Sequence, residues 1–161
     1  MGSGKTRKEA LSSLQTELRI QATRTVIFHS AVAARLGITV TDLSCLNVLS
    51  MDGPQTPGQL ADRIGITRGG AVTAMIDRLE RAGFVRRDRD PQDRRRVLVA
   101  LVGAQARDAV APLFTGLGAS VGAYLAECDD SELAVLQRFV AALNDSVAAA
   151  TDALRGSAAE R

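Results

Sequence analysis

Apolar residues recur at helical spacing from the start of the chain. Leu11, Leu14 and Leu18, then Ala22, Val26 and Phe28, fall within residues 9–36, a stretch without Gly or Pro. The pattern predicts one long helix ending at Gly37. Leu43, Leu46 and Leu49 predict a second helix, with Asp42 as its cap or in its first turn, stopped by Gly53-Pro54. Thr56 as N-cap and Pro57 at the first helical position predict a short third helix reaching Ile64 and broken by Gly65. Thr67 is expected to cap a fourth helix with Val72, Met75, Ile76 and Leu79 on one face, ended by Gly83. Helix, tight glycine turn and capped helix form a helix-turn-helix pattern.

Two strand-like runs follow, Phe84–Arg89 and Arg96–Val102, joined by the polar turn Asp90-Pro91-Gln92-Asp93-Arg94-Arg95. The second run is apolar on both faces. A strand, a charged turn and a strand directly after a recognition helix make a wing. Residues from about 104 to 155 predict two more helices, split near Cys128–Ser131, where Asp129 and Glu132 resemble a capping box. Leu133, Leu136, Val140, Leu143 and Val147 recur at 3-4-3-4 spacing, a helix-pairing seam. The expected fold is mainly α with a small antiparallel β wing: a winged helix-turn-helix with long terminal dimerisation helices. Residues 1–40 are expected to be an N-terminal dimerisation helix, 41–103 the DNA-binding domain, and 104–161 the C-terminal dimerisation helices, intertwined as one domain. The terminal seams leave too little domain to cover them, so an obligate homodimer is expected.

Charge distribution sharpens this picture where the net charge of +2 does not. Residues 1–40 carry six Lys/Arg against two Asp/Glu, residues 41–103 ten against eight, and residues 104–161 four against eight. Eight arginines lie between Arg78 and Arg96. Such a local cationic patch is the footprint of a nucleic-acid interface. The two cysteines, Cys45 and Cys128, are too few for a secreted disulfide scaffold. No apolar run is expected to approach the ~20 residues needed to span a bilayer. With a polar N-terminus and no signal-peptide core, a cytoplasmic location without membrane contact is expected.

The first turn of a helix docked in the major groove needs small or polar residues, because it meets the base edges. Here it reads Thr67, Arg68, Gly69 and Gly70, with Thr73 one turn on. Arg68 can fork onto a guanine edge or a phosphate, and the glycines present nothing to obstruct approach. On the wing, Arg94, Arg95 and Arg96 flank Asp93. A guanidinium on a narrow hairpin can enter a minor groove. Asp93 is expected to orient an arginine rather than touch DNA. The bland alternatives are a helical hairpin with solvated arginines and a surface hairpin of mutually neutralised charges.

From Leu36 to Val102 the sequence resembles the MarR family of winged-helix regulators. The residues that carry the resemblance are Leu60-Ala61-Asp62-Arg63-Ile64-Gly65-Ile66-Thr67, Asp77-Arg78-Leu79-Glu80-Arg81-Ala82-Gly83-Phe84-Val85 and the wing Asp90-Pro91-Gln92-Asp93-Arg94-Arg95. The last, an Asp-Pro-x-Asp-x-Arg signature, is the most specific. The resemblance implies a homodimer with interlocking first and last helices. It implies binding to palindromic double-stranded DNA, with Asp93 and Arg95 at the minor groove, and a response to small anionic or phenolic ligands. Two departures stand out. The second wing strand continues Leu101-Val102-Gly103 without the family's capping Thr, and Gly69-Gly70 replaces a Ser/Thr-rich helix start. Base reading then falls to Arg68 and Thr73, or to DNA shape.

The resemblance places the first helix beside a ligand pocket. Phe28, His29, Val32, Leu36, Leu46 and Leu49 are expected to line it, mostly apolar with one polar handle, a composition suited to a small aromatic or phenolic effector. The alternative is that these residues fill the core and His29 packs. Gly2-Ser3-Gly4-Lys5-Thr6 looks like the tail of a phosphate-binding loop but lacks the upstream Gly and strand. Cys45, amid Leu43 and Leu46, has no basic activating neighbour and reads as an inert thiol. One His and two separated Cys make no zinc site, and no cofactor is implied. No catalytic acid–base set is apparent, so an enzyme is not expected. The reading is a sequence-specific DNA-binding regulator that represses from palindromic operators. The alternative is a winged-helix protein–protein module, separable from it by salt-dependent duplex binding.

Overall fold

The computed structural model describes residues 6–159. The loop-like stretch Gly2–Lys5 lies outside them. Six helices and one hairpin follow in order: α1 Arg7–Leu36, α2 Val40–Asp52, α3 Pro57–Ile64, α4 Gly70–Arg81, β1 Val85–Arg89, β2 Val97–Leu101, α5 Gly103–Ala126 and α6 Asp130–Ala159. Every element expected from periodicity is present, the first strand one residue shorter at its start and the second one residue shorter at each end.

Local chemistry explains most of the boundaries. Capping boxes start α1 (Thr6 with Glu9), α2 (Thr39 with Asp42) and α3 (Thr56 with Gln59). Asp42 therefore sits in the first turn of α2, and Thr39 is the cap. Asp129 opens α6: its carboxylate accepts from the Glu132 N–H (2.9 Å) while Glu132 accepts from the Asp129 N–H (2.9 Å). The expectation for Thr67 is corrected. The N-cap of α4 is Gly69, at φ 96° and ψ −125°, with no side-chain cap hydrogen bond. A side chain at that φ would be strained, so the turn runs two residues further than a Thr67 cap would allow.

The chain divides into two units, Met1–Leu113 and Phe114–Arg161. The first holds the core. Leu46 and Leu49 of α2, Leu60 and Ala61 of α3, Val72, Met75, Ile76 and Leu79 of α4, Val85 and Val99 of the hairpin and Ala106 of α5 are all buried together. The hairpin is antiparallel, with Val85 opposite Leu101 and Arg89 opposite Val97. Gln55 adds a short third rung, its N–H donating to the Val99 carbonyl (3.0 Å) and its carbonyl accepting in return (2.8 Å).

One charge lies inside this core. Asp42 is fully buried. It accepts from the Thr39 N–H (2.9 Å), from Arg78 Nη2 (2.7 Å) and from Arg78 Nε (3.3 Å). The pair ties the N-terminus of α2 to α4. Burial pushes the Asp42 carboxyl up, but the hydrogen bonds from Arg78 and Thr39 outweigh it and hold it below the ordinary carboxylate range.

The second unit comprises the end of α5 and α6. Here the bilayer expectation is corrected. Asp108–Ala126 and Asp130–Gly156, with mean hydropathy of 1.4 and 1.2, are each long and apolar enough to cross a membrane by length and composition. Ala spreads that apolarity along both helices, which is why no unbroken run of large hydrophobic residues marks it in the sequence. Leu133, Val140, Leu143 and Val147 of the α6 seam are exposed in the single chain.

The Asp42 pair carries a pH dependence. A carboxyl held low in the fold contributes stability above its unfolded value of ~3.9, and that contribution is lost as pH falls through the folded value. Asp42→Asn is expected to cost about 2 kcal/mol at neutral pH, the order for a charge-assisted hydrogen bond. Thermal unfolding followed from pH 7 down into acid, for as long as the protein stays folded, should show the gap between the wild type and the variant narrowing below about pH 4; a constant gap would contradict it.

Candidate nucleic-acid interface

The apolar stripe of α4 fixes which side of the helix is free. With Val72, Met75, Ile76 and Leu79 buried, Gly70, Ala71, Thr73 and Ala74 are exposed on the other side. All four are small. Ala71 and Ala74 were not singled out in the sequence, although their spacing on the open face was available. Their methyl groups suit contact with a thymine methyl. Thr67, Arg68 and Gly69 precede the helix, exposed in the turn that leads into it. The N–H groups of its first turn lack a side-chain cap and point where an anion would meet the helix dipole.

Arg68 is not simply solvated. Its Nε donates to Asp62 Oδ1 (3.0 Å) and its Nη2 to Asp62 Oδ2, an ion pair across the turn between α3 and α4. The hydrogen bond from Arg68 holds the Asp62 carboxyl below its ordinary range. Sequence reasoning missed this pair. A separation of six residues is not a helical neighbour spacing, and only the turn brings the two together.

The wing arginines divide into two groups. Arg87 is held by Asp77 and Glu80 of α4, and Arg86 Nε donates to Asp88 Oδ2 (2.7 Å). Arg89 Nη1 donates to the Arg94 carbonyl (2.9 Å), and Arg96 stands 4.0 Å from Asp90. These residues stiffen the hairpin. Arg94 and Arg95, at the tip, are exposed and form no ion pair among the described residues. Asp93 explains why. It was expected to orient an arginine side chain; instead its Oδ1 accepts the backbone N–H of Arg95 (3.0 Å), and its carbonyl accepts the N–H of Arg96 (2.9 Å). Its carboxylate shapes the tip backbone and leaves both guanidinium groups open.

The residues expected to line an effector pocket lie at the edge of the core. Leu46 and Leu49 belong to it, Leu36 packs against it, and Val32 is buried. Phe28 and His29 are half-buried, their ring centroids 6.1 Å apart. A surface cavity of about 560 Å³ runs elsewhere along α1, past Thr16, Arg19, Ile20, Thr23, Arg24 and Ile27.

The arrangement of helix-turn-helix and wing has relatives. The model of the MarR family matches residues 38–97. The HTH-type transcriptional regulator YcgE of Bacillus subtilis is 38% identical over 140 residues, which cover 87% of this chain and 90% of that protein. The chain belongs to the MarR family of transcriptional regulators. Solved structures carry the same fold. A MarR family protein from Bacillus stearothermophilus superposes with a TM-score of 0.65 at 21% identity, covering 89% of this chain and 99% of that one. The transcriptional regulator BldR from Sulfolobus solfataricus does so with a TM-score of 0.56 at 26% identity, covering 89% and 98%.

Within this MarR-family chain the two thiols differ. Cys45 is buried, and burial followed by the Asp42 charge pushes its thiol up to about 12. Cys128 is half-exposed beside the Tyr124 carbonyl. Iodoacetamide on the native protein at pH 8 should label Cys128 and spare Cys45, as peptide mass mapping would show. Labelling of Cys45 at a comparable rate would contradict its burial.

Proposed function

We propose that the protein is a homodimeric repressor that binds palindromic duplex DNA, with α4 in the major groove and the wing tip in the minor groove. The observation that carries this reading is the selective exposure of the arginines. At the wing base Asp77 and Glu80 hold Arg87, Asp88 holds Arg86 and Asp90 stands by Arg96, whereas Arg94 and Arg95 at the tip form no ion pair among the described residues. A solvated hairpin of mutually neutralised charges would pair them too.

The dimer reading draws support from apolar surface. Val26 and Ile27 of α1, Tyr124 of α5, and Val135, Val140 and Val147 of α6 are about half or more exposed in the single chain. A second copy is the cover we favour over a bilayer, because α6 also carries Glu132, Arg138, Asp145, Asp152 and Arg155. Charged side chains facing lipid are costly. The N-terminal helix through residue 40 and the chain from 104 onward would form the dimer, around the DNA-binding segment 41–103.

In detergent-free buffer, light scattering should give twice the chain mass. The dimer should bind duplex DNA with an affinity that falls steeply as salt rises. Arg95→Ala should weaken binding to a selected duplex by about 1–3 kcal/mol per half-site and leave thermal stability unchanged. Unaltered affinity at fixed salt removes the wing from the interface. A soluble monomer removes the two-fold model, and a requirement for detergent favours the bilayer.

Repression and its release have their own test. Run-off transcription from the selected duplex placed over a promoter should fall as protein is added. A panel of aromatic acids should restore it through Phe28 and His29, provided the acid binds the DNA-incompetent state better. A rise on adding protein makes the protein an activator. No restoration by any acid removes the effector and leaves the DNA reading intact.

A further inference from the structure

The ion pair in the turn before α4 leaves the arginine with a specific set of free donors. A guanidinium presents five N–H groups in a planar fork. Asp62 takes the edge formed by Nε and Nη2 of Arg68. The outer edge remains, with one N–H from Nη1 and one from Nη2 lying parallel. That is the fork that matches O6 and N7 of guanine. Gly65 at φ 81° and Gly69 at φ 96° bracket the turn that makes the pairing. Both partners are exposed, the Arg68 side chain at 72% and the Asp62 side chain at 56%. An ion pair so open to water contributes little to the stability of the fold.

We propose that Asp62 is a specificity-determining positioning residue that aims the outer edge of Arg68 at one guanine in each half-site. The inference rests on the reading of Arg68 as a DNA contact. An arginine without this brace is free to settle on the nearest phosphate, a contact that carries no sequence information. Held by Asp62, its planar group is already ordered before DNA arrives, so less freedom is lost on binding. The Asp62 carboxylate also repels phosphate, which penalises any seating in which Arg68 misses its base.

The test uses the full-length protein and two duplexes. One is selected by the wild type from a randomised pool, and the other is a shuffled duplex of the same composition. Asp62→Asn should lower the ratio of their affinities about tenfold, the loss expected when one forked base contact loosens. Selection repeated with the variant should show guanine preference relaxed at one position per half-site. In an Arg68→Ala background the same substitution should leave the ratio unchanged. If Asp62→Asn tightens both duplexes equally, Asp62 only adds repulsive charge and the proposal is overturned. A changed ratio in the Arg68→Ala background overturns it as well, since Asp62 would then not act through Arg68. A wild type that fails to discriminate between duplexes overturns the DNA reading itself.

Discussion

Burial of Val72, Met75, Ile76 and Leu79 sets the rotation of α4, and the character of the exposed surface follows from that rotation. These positions are spaced i, i+3, i+4 and i+7, so they form one stripe. The stripe packs into a core shared with Leu46, Leu49, Leu60, Val85 and Val99. Turning the helix by a single residue would bury Thr73 and expose a large apolar side chain, at a cost of the order of 1.5–3 kcal/mol for each such chain left in water. Over the first turns of the helix the open face is therefore Gly70, Ala71, Thr73 and Ala74. Such a face lets a groove wall come close but supplies few side chains to read it. In the proposed DNA complex, Arg68, just ahead of the helix, is the long side chain that compensates.

Asp42 and Arg78 secure the same helix toward its other end. A fully buried carboxylate is unfavourable unless paired and hydrogen-bonded, and Asp42 has both Arg78 and the Thr39 N–H. The pair joins a capping box on α2 to α4, so the local chemistry that starts one helix also fixes the position of another.

Carboxylates elsewhere decide which arginines are available. Asp52 holds Arg63, Asp62 holds Arg68, and Asp77 with Glu80 holds Arg87. The near-neutral net charge thus conceals a division of labour. Most arginines from Arg63 to Arg96 are held by the fold, and those at the wing tip remain open because Asp90 and Asp93 satisfy backbone N–H groups there. Hydropathy is similarly ambiguous along α5 and α6. An apolar helix that suits a bilayer also suits a partner helix, and the charges interspersed on α6 are the reason for proposing the partner helix there.

Periodicity and punctuation in the sequence determined the order and kind of the elements, the apolar face of α4, the wing and the C-terminal seam. These are short-range properties: a 3.6-residue repeat, a capping residue or a glycine stop acts within a turn or two of itself. The glycine cap of α4 was harder to read because Thr67 is also a good capping residue. The choice between them depends on how far the turn must run to place the buried stripe. Pairings across the fold were not legible at all. Asp42 with Arg78, Asp62 with Arg68, Arg87 with Asp77 and Glu80, and the Gln55–Val99 rung each join residues that belong to different elements or lie across a turn. An arginine in the sequence shows a charge, but tertiary structure decides whether a carboxylate lies within reach of it. That decision separates the arginines that hold the molecule together from those left to meet a partner.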